Sequence, residues 1–170
     1  MRVREAKISD ATGIALVHVE SWRTTYKSIL PKEFLMNLSY KRREQFWETS
    51  IPEGNVFVAE NDEGKIVGFA SGGIERSGKY EGYKGELTSI YILKEYQGRG
   101  IGKQLLKAVI KGIVKLGINT MLVLVLEDNN SKLFYEATGG KKIGEVEIEI
   151  AGKKLNELVY GWDNITDIIH

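Results

Sequence analysis

Gln97-Gly98-Arg99-Gly100-Ile101-Gly102 sets three glycines at alternate positions directly ahead of an apolar run with helical spacing. Glycine there lets the backbone turn with φ above zero and brings its N–H groups close to a ligand. A helix start adds unpaired donors and the positive end of a dipole. Residues of this kind in this order suit a phosphate. The neighbours narrow which phosphate compound. A dinucleotide fingerprint needs a third glycine two residues after the second spacer and an acid about 20 residues on, but Lys103 follows the glycines and Gly117 to Leu126 holds no acid. A P-loop needs Gly-Lys-Ser/Thr after four spacers, and here Gly102-Lys103 is followed by Gln104.

The elements that would hold this loop are legible on both sides. Leu87 to Leu93 is rich in β-branched and aromatic residues, Lys94 to Gln97 breaks it, and Ile101, Leu105, Val109, Ile113 and Leu116 recur at helical spacing, so the glycines join a strand to a helix. Thr120 to Leu126 is a nearly continuous apolar run, expected of a strand buried on both faces. Asn129 or Asn130 then caps a short helix that ends at Gly139. Val146, Ile148 and Ile150 alternate with Glu145, Glu147 and Glu149 as a strand with one wet face, and Ala151-Gly152 turns it back into Leu155 to Trp162.

Ahead of the loop, a short strand near Arg2 to Ala6 leads to Ser9-Asp10, a helix cap for the run Ile14, Val17, His18 and Ser21 to Trp22. Pro31 to Leu38 and Tyr40 to Thr49 continue helical. Val56 to Glu60 and Lys65 to Ile74 form a hairpin about Gly64, and the polar, glycine-bearing segment Glu75 to Gly85 reads as a mobile loop. The order β, α, α, β, β, β, α, β, α, β, β is α/β with a mixed sheet.

With these elements in place, the chain resembles the GNAT superfamily of N-acetyltransferases. Gln97 to Gly102 is similar to that family's Gln/Arg-x-x-Gly-x-Gly/Ala loop; an acid, Glu86, stands eleven residues before Gln97; and Asn129 to Tyr135 resembles the family's Asn-(small)-Phe-Tyr-Glu helix. The sequence departs at Gly140, where most members carry Phe. The resemblance implies one GNAT domain over residues 1–170, with a mixed, mostly antiparallel sheet of six to seven strands flanked by helices. It also implies acetyl-CoA as co-substrate, with its pyrophosphate on Gln97, Gly98, Arg99, Gly100, Ile101, Gly102 and, in the first helical turn, Lys103. Ile90, Tyr91 and Ile92 would bind the pantetheine through their backbones, and Asn129 and Tyr135 would meet the cofactor arm.

An acceptor amine with a pKa of about 10.4 is protonated at neutral pH, so attack on a thioester requires a base. Glu86, directly or through a water, is the expected base, and Tyr135 the expected proton donor to the thiolate. Backbone N–H groups around Ile92 are the expected oxyanion donors. Trp22 and Tyr26, four apart, either wall the acceptor site or join the core. Tyr80 and Tyr83 either line that site or cover a sheet edge. Of the row Lys103, Lys107, Lys111 and Lys115, only Lys103 is close to the loop.

Composition sets the outer bounds. Lys+Arg 24 against Asp+Glu 23 leaves no global attraction to nucleic acid or to an anionic membrane. With no cysteine, an acyl-cysteine intermediate and disulfides are excluded, and His18 and His170 are too few for a structural zinc site, so no metal is expected. His18 reads as a packing or surface residue. The charged start Met1-Arg-Val-Arg-Glu-Ala-Lys7 and the short apolar runs point to a cytoplasmic protein. The expected partner is a small-molecule or peptide amine, with a homodimer among the open assembly states. The alternatives are a non-catalytic acyl-CoA-binding module, which would need neither Glu86 nor Tyr135, and a nicotinamide oxidoreductase, which lacks its ribose-binding acid.

Overall fold

A continuous sheet runs in the order β1-β2-β3-β4-β5-β7-β6 in the computed structural model, which describes residues 1–169 and leaves His170 outside them. Its strands are β1 (Arg2–Glu5), β2 (Val56–Glu60), β3 (Ile66–Ile74), β4 (Gly85–Ile92), β5 (Met121–Leu126), β6 (Lys141–Ile150) and β7 (Lys153–Trp162). The helices are α1 (Ala11–Thr25), α2 (Lys32–Met36), α3 (Tyr40–Ser50), α4 (Ile101–Lys115), α5 (Ser131–Ala137) and α6 (Thr166–Ile169). Every neighbouring pair is antiparallel except β4 and β5. The seven strands and the single parallel pair agree with the expected mixed, mostly antiparallel sheet.

The faces of β3 decide where the helices sit. Phe69 points toward α1 and α3, its ring 5.7 Å from that of His18 and 5.0 Å from that of Trp47. The adjacent positions point the other way. A Cβ added at Gly68 would stand 3.4 Å from Leu105, and one at Gly72 2.6 Å from Val109, so these glycines let α4 lie close against the sheet. On α4, Ile101, Leu105, Val109 and Ile113 are buried as their spacing predicts, whereas Leu116 is exposed because the helix ends at Lys115.

Two local expectations change in the fold. Asp10 precedes α1 but makes no side-chain cap to it; its carboxylate takes the Arg4 guanidinium at 2.8 and 2.9 Å and the Lys7 N–H at 2.8 Å. An ion pair with two donors outcompetes the capping bond. Where the family carries Phe, Gly140 is covered by Trp162: a Cβ at Gly140 would stand 2.9 Å from the indole, whose Nε1 donates to the Thr138 carbonyl at 3.2 Å. A large side chain from β7 fills the space that one on the turn would fill.

Candidate active site

β4 and β5 pair only through Gly85↔Met121, Glu86↔Leu122 and Leu87↔Val123. The cause lies on the other edge of β4. Ser71 of β3 pairs with Ser89 and the next residue, Gly72, with Leu87, so Thr88 is an extra residue that bulges β4. The Ser71 hydroxyl holds the bulge through the hydroxyls of Thr88 at 2.7 Å and Ser89 at 2.6 Å. A bulge bends its strand and increases its twist. Beyond Leu87, β4 keeps β3 as far as Ile92 but has no strand partner on the β5 side. The wedge between the two strands holds the site.

One cavity, of about 590 Å³, lies along the free end of β4 beside the glycine loop. Ile90, Tyr91 and Ile92 line it from β4, Gln97, Gly98, Gly100, Ile101, Gly102 and Lys103 from the loop and α4, and Asn129 and Tyr135 from the α5 side. Gly98 and Gly100 have φ of 77° and 80°, and a Cβ at either would meet nothing within 4 Å, so the backbone there faces open space. Gln97 Nε2 ties the loop to the strand end through the Ile92 carbonyl at 3.0 Å. The first N–H groups of α4 have no carbonyl of their own helix to bond. An open glycine cradle at a 15-residue helix start, continuous with an unpaired strand edge, fits a pyrophosphate followed by an extended pantetheine arm. Arg99 alone of the expected loop residues is absent from the lining. Its guanidinium donates to the Glu95 carbonyl at 3.1 Å and lies 5.2 Å from the centre of the Tyr96 ring.

A second cavity, of about 200 Å³, shares Ile90, Tyr91, Asn129, Ser131 and Tyr135 with the first. Trp22, Tyr26 and Glu86 line it, as do two residues that sequence reasoning missed, Arg76 and Glu157. Tyr26 is also core, packed with Ile29, Leu30, Leu35, Leu126 and Leu155. Its ring meets that of Trp22 edge-on at 4.8 Å, and its hydroxyl lies 3.1 Å from that of Tyr91. Asn129 Nδ2 donates to the Tyr26 hydroxyl at 3.4 Å while its Oδ1 accepts from the Ser131 N–H at 2.9 Å. Asn130 holds the N-cap position of α5 without a side-chain bond, and Asn129 beside it supplies that bond and ties the start of α5 to Tyr26 at the end of α1.

Glu86 is buried with both oxygens engaged. Arg76 Nη2 donates to Oε2 at 2.8 Å, and Arg76 Nε and backbone N–H each donate to Oε1 at 3.2 Å. The Glu86 carboxylate raises the Arg76 pKa from its ordinary value, against the lowering effect of burial. Arg76 comes from the segment expected to be mobile, which instead folds on itself: the Glu75 carboxylate accepts from the N–H groups of Ser77 at 2.8 Å and Gly78 at 2.7 Å, and the Glu75 N–H donates to the Lys84 carbonyl at 2.8 Å. Tyr80 and Tyr83 line neither cavity; Tyr83 donates to Asp163 at 2.7 Å and covers Gly161.

Tyr135 stands where the two cavities meet. Burial, with a smaller contribution from Tyr26, pushes its pKa up, which keeps the phenol protonated at neutral pH. Burial also raises Tyr91 well above the usual phenol value. His18 is outside both cavities. Its Nδ1 accepts from Trp47 Nε1 at 3.1 Å, and burial, helped by the Arg43 charge, pushes its pKa down to about 3. Among the described residues no group of three or more His, Asp or Glu could hold a metal ion. Arg76 had no sequence signal, being one charge in a polar loop. Glu157 had one: it is an acid at a strand position whose neighbours two away, Leu155 and Val159, are both apolar and buried.

Comparison with known proteins agrees with this geometry. The model of the acetyltransferase (GNAT) family matches residues 19–139. An uncharacterized N-acetyltransferase of Bacillus subtilis, YuaI, is 44% identical over 164 residues, covering 96% of this chain and 94% of the relative. An L-methionine sulfoximine/L-methionine sulfone acetyltransferase of Pseudomonas aeruginosa is 26% identical over 155 residues, covering 84% and 87%. The structure of PaiA N-acetyltransferase from Thermoplasma acidophilum, in complex with coenzyme A, superposes with a TM-score of 0.71 at 22% identity, covering 92% of this chain and 96% of that one. With the glycine loop, the split strands and most of its length matched, the chain belongs to the acetyltransferase (GNAT) family as an N-acetyltransferase that uses acetyl-CoA.

Proposed function

We propose that the chain moves an acetyl group from acetyl-CoA directly onto a primary amine of a small molecule or peptide. The observation that carries this reading is the shared wall: Ile90, Tyr91, Asn129, Ser131 and Tyr135 bound both the cavity at the glycine loop and the cavity that contains Glu86. Donor and acceptor can meet there without an acyl-enzyme step, and the chain has no cysteine to carry one. The Pseudomonas relative bears the name of an acetyltransferase for an amino-acid derivative, which supports a small amine as acceptor.

Acetyl-CoA, when bound, supplies the acetyl group activated as a thioester. The N–H groups of the glycine loop and of the first turn of α4 hold the pyrophosphate, and Lys103 at the rim adds positive charge. The free edge of β4 from Ile90 to Ile92 holds the pantetheine arm, and an N–H near Ile92 faces the developing oxyanion. The Tyr135 O–H gives its proton to the departing thiolate. The carboxylates of Glu86, paired with Arg76, and of Glu157 line the cavity that would receive the amine.

Thiol release with acetyl-CoA and a panel of small amines, polyamines, aminoglycosides and peptide N-termini tests the reading. Acetylated product by mass spectrometry with at least one primary amine is expected. Tight acetyl-CoA binding with no product from any amine class would leave a binding module instead.

A further inference from the structure

The acceptor cavity contains two carboxylates of different standing. Glu86 receives three donors from Arg76, so its charge is met and both its oxygens are occupied. Glu157, half-buried on β7, has no ion-pair or hydrogen-bond partner among the described residues. Its cross-strand neighbours are Leu126 of β5 and Val146 of β6, which carry no charge. The charged and titratable groups that share the cavity with it are Glu86, Arg76, Tyr26, Tyr91 and Tyr135. Glu86 and Arg76 nearly cancel, and the phenols are neutral, so the cavity's uncompensated charge is that of Glu157.

We infer that Glu157 is the group that takes the proton from the acceptor's ammonium, and that Glu86 is a positioning residue that holds Arg76 in the cavity wall. The inference rests on the N-acetyltransferase reading and names the base within it. An apolar face with one unpartnered carboxylate attracts a single ammonium, and no ion pair has to break before proton transfer. Partial desolvation and, after it, the nearby Glu86 charge raise the Glu157 pKa, which makes it a stronger base than an exposed Glu. The amine enters as R–NH3⁺ and loses one proton to the Glu157 carboxylate, directly or through one water. The freed lone pair forms the N–C bond, the C–S bond breaks, and the thiolate takes the Tyr135 proton. The second proton lost by nitrogen restores Tyr135, and Glu157 returns the first to solvent. One proton is released overall.

The experiment is the pH profile of kcat/KM for an amine found in the panel, measured on wild type, Glu157→Gln, Glu157→Asp and Glu86→Gln. Glu157→Gln is expected to lose about 10² or more near neutral pH and to lose the acidic limb that the carboxylate sets, the rate instead climbing only toward the amine's own pKa as the amine deprotonates in solution. Glu157→Asp should keep the limb at reduced rate. Glu86→Gln should keep the limb and raise KM for the amine, because Arg76 is released. Acetyl-CoA affinity, read by calorimetry, should be unchanged in all three and serves as the check of folding. A Glu157→Gln enzyme with the wild-type profile, or a Glu86→Gln enzyme that alone loses the limb, would overturn the inference while leaving the N-acetyltransferase reading intact. A wild-type protein inactive with every amine would overturn both.

Discussion

Gly72 of β3 lies against the carbonyl of Glu86: a Cβ at Gly72 would stand 2.7 Å from that oxygen and 2.6 Å from a methyl of Val109. The missing side chain lets α4 sit close to the sheet at the point where β4 bulges at Thr88 and turns away from β5. Gly72→Ala places a methyl between a helix side chain and a strand carbonyl. It is expected to destabilise the protein by about 1–3 kcal/mol, the usual range for overpacking, read from the urea midpoint.

Gly100 precedes α4 with φ of 80°. Gly100→Val puts a branched side chain into the space over the loop and into a backbone region that costs an L-residue roughly 1–2 kcal/mol. A small loss of thermal stability is expected together with a loss of acetyl-CoA affinity of at least about tenfold, since the N–H groups can no longer approach the phosphates. Calorimetry on the folded variant checks this, and unchanged affinity would remove the loop from the cofactor site.

Tyr135→Phe removes the proposed proton donor and keeps the ring in its packing beside Trp162, 6.0 Å away edge-on. A loss of about 10² in kcat is expected, of the order of general-acid contributions. The defect should persist from neutral to alkaline pH, because raising pH does not supply a proton to the thiolate, and it should shrink with an acyl donor whose thiol is more acidic. Rates with two such donors at one pH decide it.

His18 is neutral in the fold, with its pKa pushed down to about 3 and Nδ1 occupied by Trp47 Nε1. The unfolded chain regains an ordinary pKa of about 6.5. Between those two values the unfolded state binds the extra proton, so stability falls as pH falls through this window by up to about 1.4 kcal/mol per pH unit, and the penalty vanishes above it. His18→Gln has no such proton to bind. Urea unfolding from pH 7 to pH 5 should show a shallower slope for the variant, and parallel slopes would mean that His18 is not the group responsible.

The sequence by itself determined what neighbours in the chain decide. The glycine spacing before a 3.6-residue apolar period specified a strand, a phosphate-type loop and α4, and the alternation after Gly144 specified a strand, though at the edge of the sheet Val146 of its apolar face is exposed and Ile148 and Ile150 are only partly covered. With Glu86 and the stretch Asn129 to Tyr135 beside them, these carried the resemblance to the family and the mixed sheet, and every expected loop residue except Arg99 lines the loop cavity. The tertiary structure decided what depends on strand order, which no local period encodes. β7 runs between β5 and β6, and that placement carries Glu157 into the cavity that contains Glu86 and Trp162 onto Gly140. The segment before β4 folds back to set Arg76 on Glu86, so that an acid legible as a base is met with its oxygens taken. Arg99 turns to Tyr96 and Asp10 to Arg4 for the same reason: a charged side chain follows the partner that the fold brings within reach, and the chain's own spacing does not say which partner that is.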